Sequence, residues 1–376
     1  MDVGKSYKAT SKASLPPVEA LLKTMLAEKL VDKVLGARVD KDVTQLKPET
    51  IEKPEGIKDM NMPAYVAFNF AKMDSASKYL HKSMGGGLTS KVGLFARPCD
   101  MRALVELHKR RQVNLDNLIT IGIEEYGQIE QKSLKKFFTD KKIDPAKITA
   151  VRITSPEGVR MEIDGKTQEF SFDASLQICR NCANCRNKLV RNADINASFL
   201  SGDVILTPMT RKGLDVMERA SASNVLEYSE SSFDGESLLR EMEAKGKAKQ
   251  LEEIAEFRKK TPEQKMAALG ACTACGICIR ACPVCFCVDC ILMNKRKAKK
   301  IDQYTFQLSR IAHVADTCVQ CGKCDSNCPK NLPLNIYFND IAMQLEQQHD
   351  YVSGRSITEV APRASLEAMK RRYKKH

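Results

Sequence analysis

Eight cysteines in two identical registers constrain this chain more than anything else in it. Residues 272–283 read Cys272-x2-Cys275-x2-Cys278-x3-Cys282-Pro283, and residues 318–329 repeat the pattern as Cys318-x2-Cys321-x2-Cys324-x3-Cys328-Pro329. A two-residue spacing curls the backbone around one face of a compact inorganic centre, and the proline stops the turn from running on as helix. In such a run three close thiolates hold three irons of a [4Fe-4S] cubane, and the fourth cysteine crosses to the other cubane. The spacing therefore predicts two clusters, one on Cys272, Cys275, Cys278 and Cys328, the other on Cys318, Cys321, Cys324 and Cys282. Ala274, Gly276 and Gly322 are small enough to fit between ligands.

Other uses of cysteine fit less well. Zinc takes four ligands from two separated pairs and has no use for a doubled run. Disulfides are disfavoured because cysteines this close along a turn are poorly placed to bridge. The opening MDVGKSYKATSKASL holds no apolar run able to serve as a signal peptide, and eighteen consecutive apolar residues occur nowhere. Fifteen cysteines in such a chain are expected to be metal ligands in a reducing cytoplasm, with no transmembrane segment.

The formal charge of +13 is concentrated at Lys295–Lys300, Lys109–Arg111 and Lys370–Lys375. Such runs are solvated faces or tails, or they steer an acidic partner subunit. Nucleic acid is not expected, because no recognition motif accompanies the charge.

The rest of the chain divides by pattern. The first residues, 1–15, are polar and expected to be loose. From Pro16, apolar residues at helical spacing predict a helix, with Gly36 suited to its end and a short strand after it. Tyr65–Phe70 reads as a buried strand, Asp74–Lys82 as a helix, and Gly85-Gly86-Gly87 as a stop. Lys91–Ala96 is a second strand that runs into Arg97-Pro98-Cys99-Asp100, where Asp100 is suited to cap the next helix and leave Cys99 at a strand-to-helix corner. Leu118–Ile123 supplies a further strand, and residues 148–172 read as a small hairpin region.

Directly after it stands Cys179-Arg-Asn-Cys182-Ala-Asn-Cys185, one ligand short of a cubane. Cys99 is the cysteine outside the dense groups, so the fold is expected to bring it beside Cys179, Cys182 and Cys185 around a third [4Fe-4S] cluster. Zinc with a remote histidine, or an incomplete cubane, would also use three thiols. Asp203–Thr207 reads as a strand, Lys212–Ala220 as a helix, and residues 221–264 as a charged connector with a long exposed helix. Cys285, Cys287 and Cys290 exceed what two cubanes need; they either pack as small, soft residues or replace a ligand. Helices are expected over Tyr304–Ala315 and after Pro329, the latter covering the clusters.

The fold class is thus α/β: a mixed α/β domain (16–220), the connector (221–264), a C-terminal α+β or helical region with a two-cluster ferredoxin-like unit (265–348), and a basic tail (349–376).

Read together, Arg97-Pro98-Cys99-Asp100-Met-Arg102-Ala103-Leu104, the CRNC run with Ala193-Asp194-Ile195, and Cys282-Pro-Val-Cys285-Phe-Cys287-Val-Asp-Cys290 resemble the coenzyme F420 hydrogenase/dehydrogenase beta-subunit family, most of all its archaeal formate dehydrogenase type. The likeness runs from about residue 16 to 348. It implies an iron–sulfur flavoprotein in which FAD exchanges a hydride with the deazaflavin and clusters pass single electrons to or from a catalytic or bifurcating partner of formate dehydrogenase, hydrogenase or heterodisulfide-reductase type. Two segments depart from it. A small-residue turn with paired glycines is replaced by Ser14-Leu15-Pro16-Pro17, and a glycine-rich stretch with a Trp is replaced by Asn196-Ala197-Ser198-Phe199-Leu200-Ser201-Gly202-Asp203, in a chain without Trp. Glycine lets a backbone approach a cofactor; Leu and Pro do not.

A flavin converts between two-electron and one-electron transfer, whereas cubanes do only the latter. The primary reading is an electron-transfer iron–sulfur subunit of a multi-subunit oxidoreductase; the alternative is an FAD-containing subunit that oxidises or reduces coenzyme F420. A cluster-bearing sensor would need an effector domain that the sequence does not show. The five histidines are scattered, and no catalytic acid or base is assigned.

Overall fold

The computed structural model describes residues 1–12, 15–71 and 73–362. Ser14 of the first departing segment, and residues 363–376 of the basic tail with the run Lys370–Lys375, lie outside the described residues.

An eight-stranded mixed sheet carries the N-terminal two thirds. Its strands are β1 (Tyr7–Ser11), β2 (Lys33–Val39), β3 (Leu46–Ile51), β4 (Val92–Ala96), β5 (Leu118–Glu124) and, beyond a separate three-stranded meander of β6 (Ile148–Ser155), β7 (Gly158–Ile163) and β8 (Lys166–Ser171), β9 (Ile195–Ser198), β10 (Ile205–Pro208) and β11 (Leu226–Glu230). The order is β11-β1-β10-β9-β5-β4-β2-β3. The inner four, β9, β5, β4 and β2, run parallel, and antiparallel strands close both edges. β4 and β5 are buried along their whole length and read VGLFA and LITIGIE, the continuous apolar runs of strands covered on both faces. Their C-terminal ends present Arg97, Cys99 and Glu125, the edge at which open α/β sheets do chemistry.

Four local expectations are corrected. Tyr7–Ser11 is not loose: it pairs with β10 and β11, burying Tyr7 and Ala9. The first helix, Pro17–Ala27, ends well before Gly36, which sits inside β2 where an added Cβ would meet Ile51 Cδ1 at 2.6 Å. Tyr65–Phe70 is no strand but mostly part of the helix Met62–Phe68, whose start is set by Asn61 Oδ1 accepting the Ala64 N–H at 3.0 Å and by Pro63. A short apolar run has no period to separate strand from buried helix, so the cap decided. Asp100 does not cap its helix, Pro98–Lys109; it lies in the first turn and accepts from Ser77 N–H and Oγ at 3.2 and 2.7 Å.

The helix Gly235–Lys259 leads out of the sheet domain to the cysteine-rich unit. That unit has little regular structure of its own. Short helices at Ile277–Arg280 and Lys323–Ser326, the helix Gln303–Val314 and the covering helix Leu334–His349 surround a small core of Leu269, Ile279, Phe306, Leu334 and Phe338.

Candidate functional site

The two doubled runs fold as near copies. In each, the residue before the second cysteine adopts a left-handed conformation, Ala274 at φ 48° and Gln320 at φ 59°, and donates its N–H to the first sulfur: Ala274 to Cys272 Sγ at 3.2 Å, Gln320 to Cys318 Sγ at 3.4 Å. The residue after the second cysteine is again left-handed and opens a one-turn helix, Gly276 at φ 78° and Gly322 at φ 70°. Glycine adopts this conformation without a Cβ clash, which explains the choice at both places. N–H donation stabilises a thiolate over a thiol.

The fourth cysteines cross over. Cys272, Cys275, Cys278 and Cys328 line one cavity with Phe306, Gln307 and Leu334. Cys282 instead lies with Cys318, Cys321 and Cys324: burial, then the nearby Cys282, pushes the Cys318 thiol up to about 12, and the same two causes raise Cys321. A thiol buried in apolar surroundings resists ionising, and a cationic inorganic core is what would offset that.

Two side chains that the spacing did not reveal serve these sites. Gln307 Nε2 donates to Cys272 Sγ at 3.1 Å and reaches Cys278 Sγ at 3.9 Å. Arg310, one turn along the same helix, is buried, stacks over Phe338 at 5.0 Å and donates through Nη2 to Cys278 O at 3.3 Å. Its Nε and Nη1 have no protein partner. Burial alone would lower its pKa, yet Cys324, Cys278, Cys282 and Cys285 raise it, so the cation stands between the two ligand sets. Buried, unpartnered donors among thiolates fit a pair of anionic clusters. Among the described residues no group of three or more His, Cys, Asp or Glu is set to hold a single metal ion.

Cys99, Cys182 and Cys185 line a third cavity, together with Cys321 of the second set. Cys179 does not line it. Its Sγ lies 3.4 Å from Ser326 Oγ, and its thiol donates to Cys182, which lowers the Cys182 pKa. Asn187 N–H donates to Cys185 Sγ at 3.4 Å, two residues along the chain as in the doubled runs but without their left-handed turn. The walls are cationic. Arg97, Arg102, Arg186, Lys188 and Lys323 face one acid, Glu125, which pairs with Arg97 at 2.8 Å. Arg97 also donates to Tyr65 O and Val66 O, and Arg102 to Val319 O and Ser353 O. Arg97 and Arg102 belong to the RPCDMRAL stretch, which was the available signal for them. Of the extra thiols, Cys285 and Cys290 pack against the unit's core while Cys287 is exposed.

The two segments that depart from the resemblance do not offer bare backbone to a flavin. Leu15 packs on the main core, Asn196 and Ser198 are buried in β9, with Asn196 Nδ2 donating to Glu124 Oε1 at 3.0 Å, and the Arg152 guanidinium takes the carbonyls of Ser201 and Gly202. These residues do not fit a flavin held against open glycine backbone.

Comparison with known proteins follows this division. Residues 89–234 match the family model for the C terminus of the coenzyme F420 hydrogenase/dehydrogenase beta subunit, and residues 268–332 match that for a 4Fe-4S dicluster domain. The chain is 26% identical over 364 residues to the F420-dependent formate dehydrogenase subunit beta of Methanocaldococcus jannaschii, covering 90% of this chain and 91% of that protein. It is 27% identical over 378 residues to the F420-dependent formate dehydrogenase 1 subunit beta of Methanococcus maripaludis, covering 92% of each. Among solved structures, a chain of the F420-reducing [NiFe] hydrogenase complex from Methanosarcina barkeri shares the fold with a TM-score of 0.53 at 18% identity, over 70% of this chain and 96% of that one.

Proposed function

This chain belongs to the coenzyme F420 hydrogenase/dehydrogenase beta-subunit family, and from that premise we propose how it acts as an electron-transfer iron–sulfur subunit of a multi-subunit oxidoreductase. Cys272, Cys275, Cys278 and Cys328 would hold one [4Fe-4S] cluster, Cys318, Cys321, Cys324 and Cys282 a second, and Cys99, Cys182 and Cys185 a third, with Cys179 beside that cavity through its contact with Cys182. Bound clusters of this type take up and release one electron at a time. The observation that supports the reading is that Cys328 lines the first cavity beside Cys272, Cys275 and Cys278, while Cys282 packs in one cluster with Val319 and Cys321.

The protein's own contribution is to hold charge and exclude water. N–H donors from Ala274, Gln320 and Asn187 point at the sulfurs of Cys272, Cys318 and Cys185, where they would stabilise cluster-bound thiolates. Arg310 balances the first and second ligand sets against each other, and the cationic wall of the third cavity favours added negative charge there. Cys321, which lines that cavity while belonging to the second set, joins the two sites. Clusters held at these sites would carry single electrons to or from a catalytic or bifurcating oxidoreductase subunit. No helix among the described residues is long and apolar enough to cross a membrane. Fifteen unbridged cysteines suit a reducing cytoplasm.

Anaerobic purification with iron, acid-labile sulfide and flavin measured per chain tests this reading. About twelve irons without flavin supports three clusters and a relay; about eight removes the third site; a colourless, iron-free chain overturns the proposal.

A further inference from the structure

An open cleft of about 840 Å³ lies against the second ligand set and is used by nothing described so far. Cys285 and Arg310 form part of its lining, and the Cys285 N–H donates to the Cys282 carbonyl at 3.3 Å. Of the ten exposed large apolar side chains among the described residues, four line this cleft: Val288 (101% exposed), Ile291, Ile357 and Val360. Monomeric proteins seldom gather such residues in one place without something to cover them. The charge around them is basic in excess: six basic side chains line the cleft against three acidic ones, with Lys109 and Arg110 paired to Glu106 and Glu359 paired to Arg355. The helix Ile291–Lys297 forms one wall, and Lys295 and Lys299 on and just after it are exposed.

We propose that this cleft docks the redox partner protein that exchanges electrons with the second cluster, through an apolar knob flanked by carboxylates on that partner. The proposal rests on the relay reading given above. Charge complementarity selects an acidic partner and raises the encounter rate, while the apolar floor supplies the desolvated centre of the interface. Single electrons cross protein only over short gaps. This face brings a partner's centre close to Cys282, with Cys285 and Arg310 between. A basic tail, such as residues 363–376 of this chain, would meet like charge there.

The native complex, purified anaerobically, provides the test, with iodoacetamide as the probe of exposed Cys287 and peptide mass spectrometry as the readout. Cys287 should react about tenfold more slowly in the complex than in the isolated full-length chain. Val288→Asp combined with Ile291→Asp should reduce partner recovery about tenfold with iron per chain unchanged, and Lys297→Glu should weaken association mainly at low salt. Equal Cys287 reactivity in both forms, with the double variant still recovering its partner, overturns the proposal. So does protection of Cys287 in the isolated chain that ends on deleting residues 363–376, that ends when a self-dimer is split by the double variant, or that tracks a small chromophore. Iron content reports separately: an iron-free chain sinks the relay reading whatever Cys287 does.

Discussion

The two halves of the cysteine-rich unit share a sequence pattern, a pair of left-handed residues and a one-turn helix, yet they are embedded differently. The first half is closed by its own unit: Gln307, Phe306 and Leu334 line its cavity, and an added Cβ at Gly276 would meet only the flexible end of Met293, at 2.4 Å. The second half is grown into the α/β domain. Asn181 Nδ2 donates to Gly322 O at 3.3 Å, Arg102 donates to Val319 O at 2.9 Å, and Lys323 Nζ reaches Asp74 O. A repeated motif can therefore present like ligand sets while one copy is closed within its own unit and the other is bonded to the neighbouring domain.

Removing single ligands breaks the comparison most severely. Cys328→Ala, Cys282→Ala and Cys99→Ala should each lose about four of about twelve irons, but from the first, second and third site respectively. Distinct electron paramagnetic resonance signals should vanish in turn. If Cys282→Ala removed the same signal as Cys272→Ala, the exchange of fourth ligands would be wrong.

Next in size is the buried pair at the third site. Arg97→Met leaves Glu125 buried without its cation and should cost about 3–5 kcal/mol in chemical denaturation. The same variant should lower the reduction potential of the third site and leave the first unmoved, which redox titration would read.

The glycines sharpen the contrast directly. Gly322→Ala carries the penalty of a left-handed Ala, about 1–2 kcal/mol, and places a Cβ 2.4 Å from Asn181 Cβ and closer still to its amide. Gly276→Ala carries only the first of these, because Met293 can move aside. Equal losses of melting temperature for the two would show that the second half is no more embedded than the first.

The smallest effect on the clusters is expected at Glu124, the last residue of β5. Burial raises the Glu124 carboxyl to about 7. Its folded pKa is above the unfolded one, so the folded state binds the extra proton, and stability falls as pH rises from about 4.5 to about 7. Glu124→Gln should flatten that slope by about 3 kcal/mol at most, with cluster potentials unchanged.

Much of the site was legible in the chain because cluster ligands are local: two-residue spacings bind one centre whatever surrounds them, and Gly276 and Gly322 mark the turns they need. Cys99 could be placed only by elimination, as the cysteine left over from the dense groups, and the fold sets it in one cavity with Cys182 and Cys185 but not Cys179. The cations were harder. Arg97, Arg102 and Lys188 sit far apart in sequence from the thiols they face, and nothing in their spacing tells a buried Arg from a solvated one. The Tyr65–Phe70 segment misled for a related reason, since an apolar run this short is compatible with either strand or helix until its cap is considered.

By itself the amino-acid order determined that this protein binds inorganic clusters, how many thiolates each doubled run offers, and that α/β and cysteine-rich regions follow one another. These follow from short-range geometry, where bond lengths and turn angles leave few choices. Only the tertiary structure decided that Cys321 faces two sites at once, that five cations wall the third cavity, and that Val288, Ile291, Ile357 and Val360 gather at one cleft. Those arrangements arise from packing between residues up to some 250 positions apart, such as Arg102 with Ser353, and long-range packing is a property of the whole folded chain.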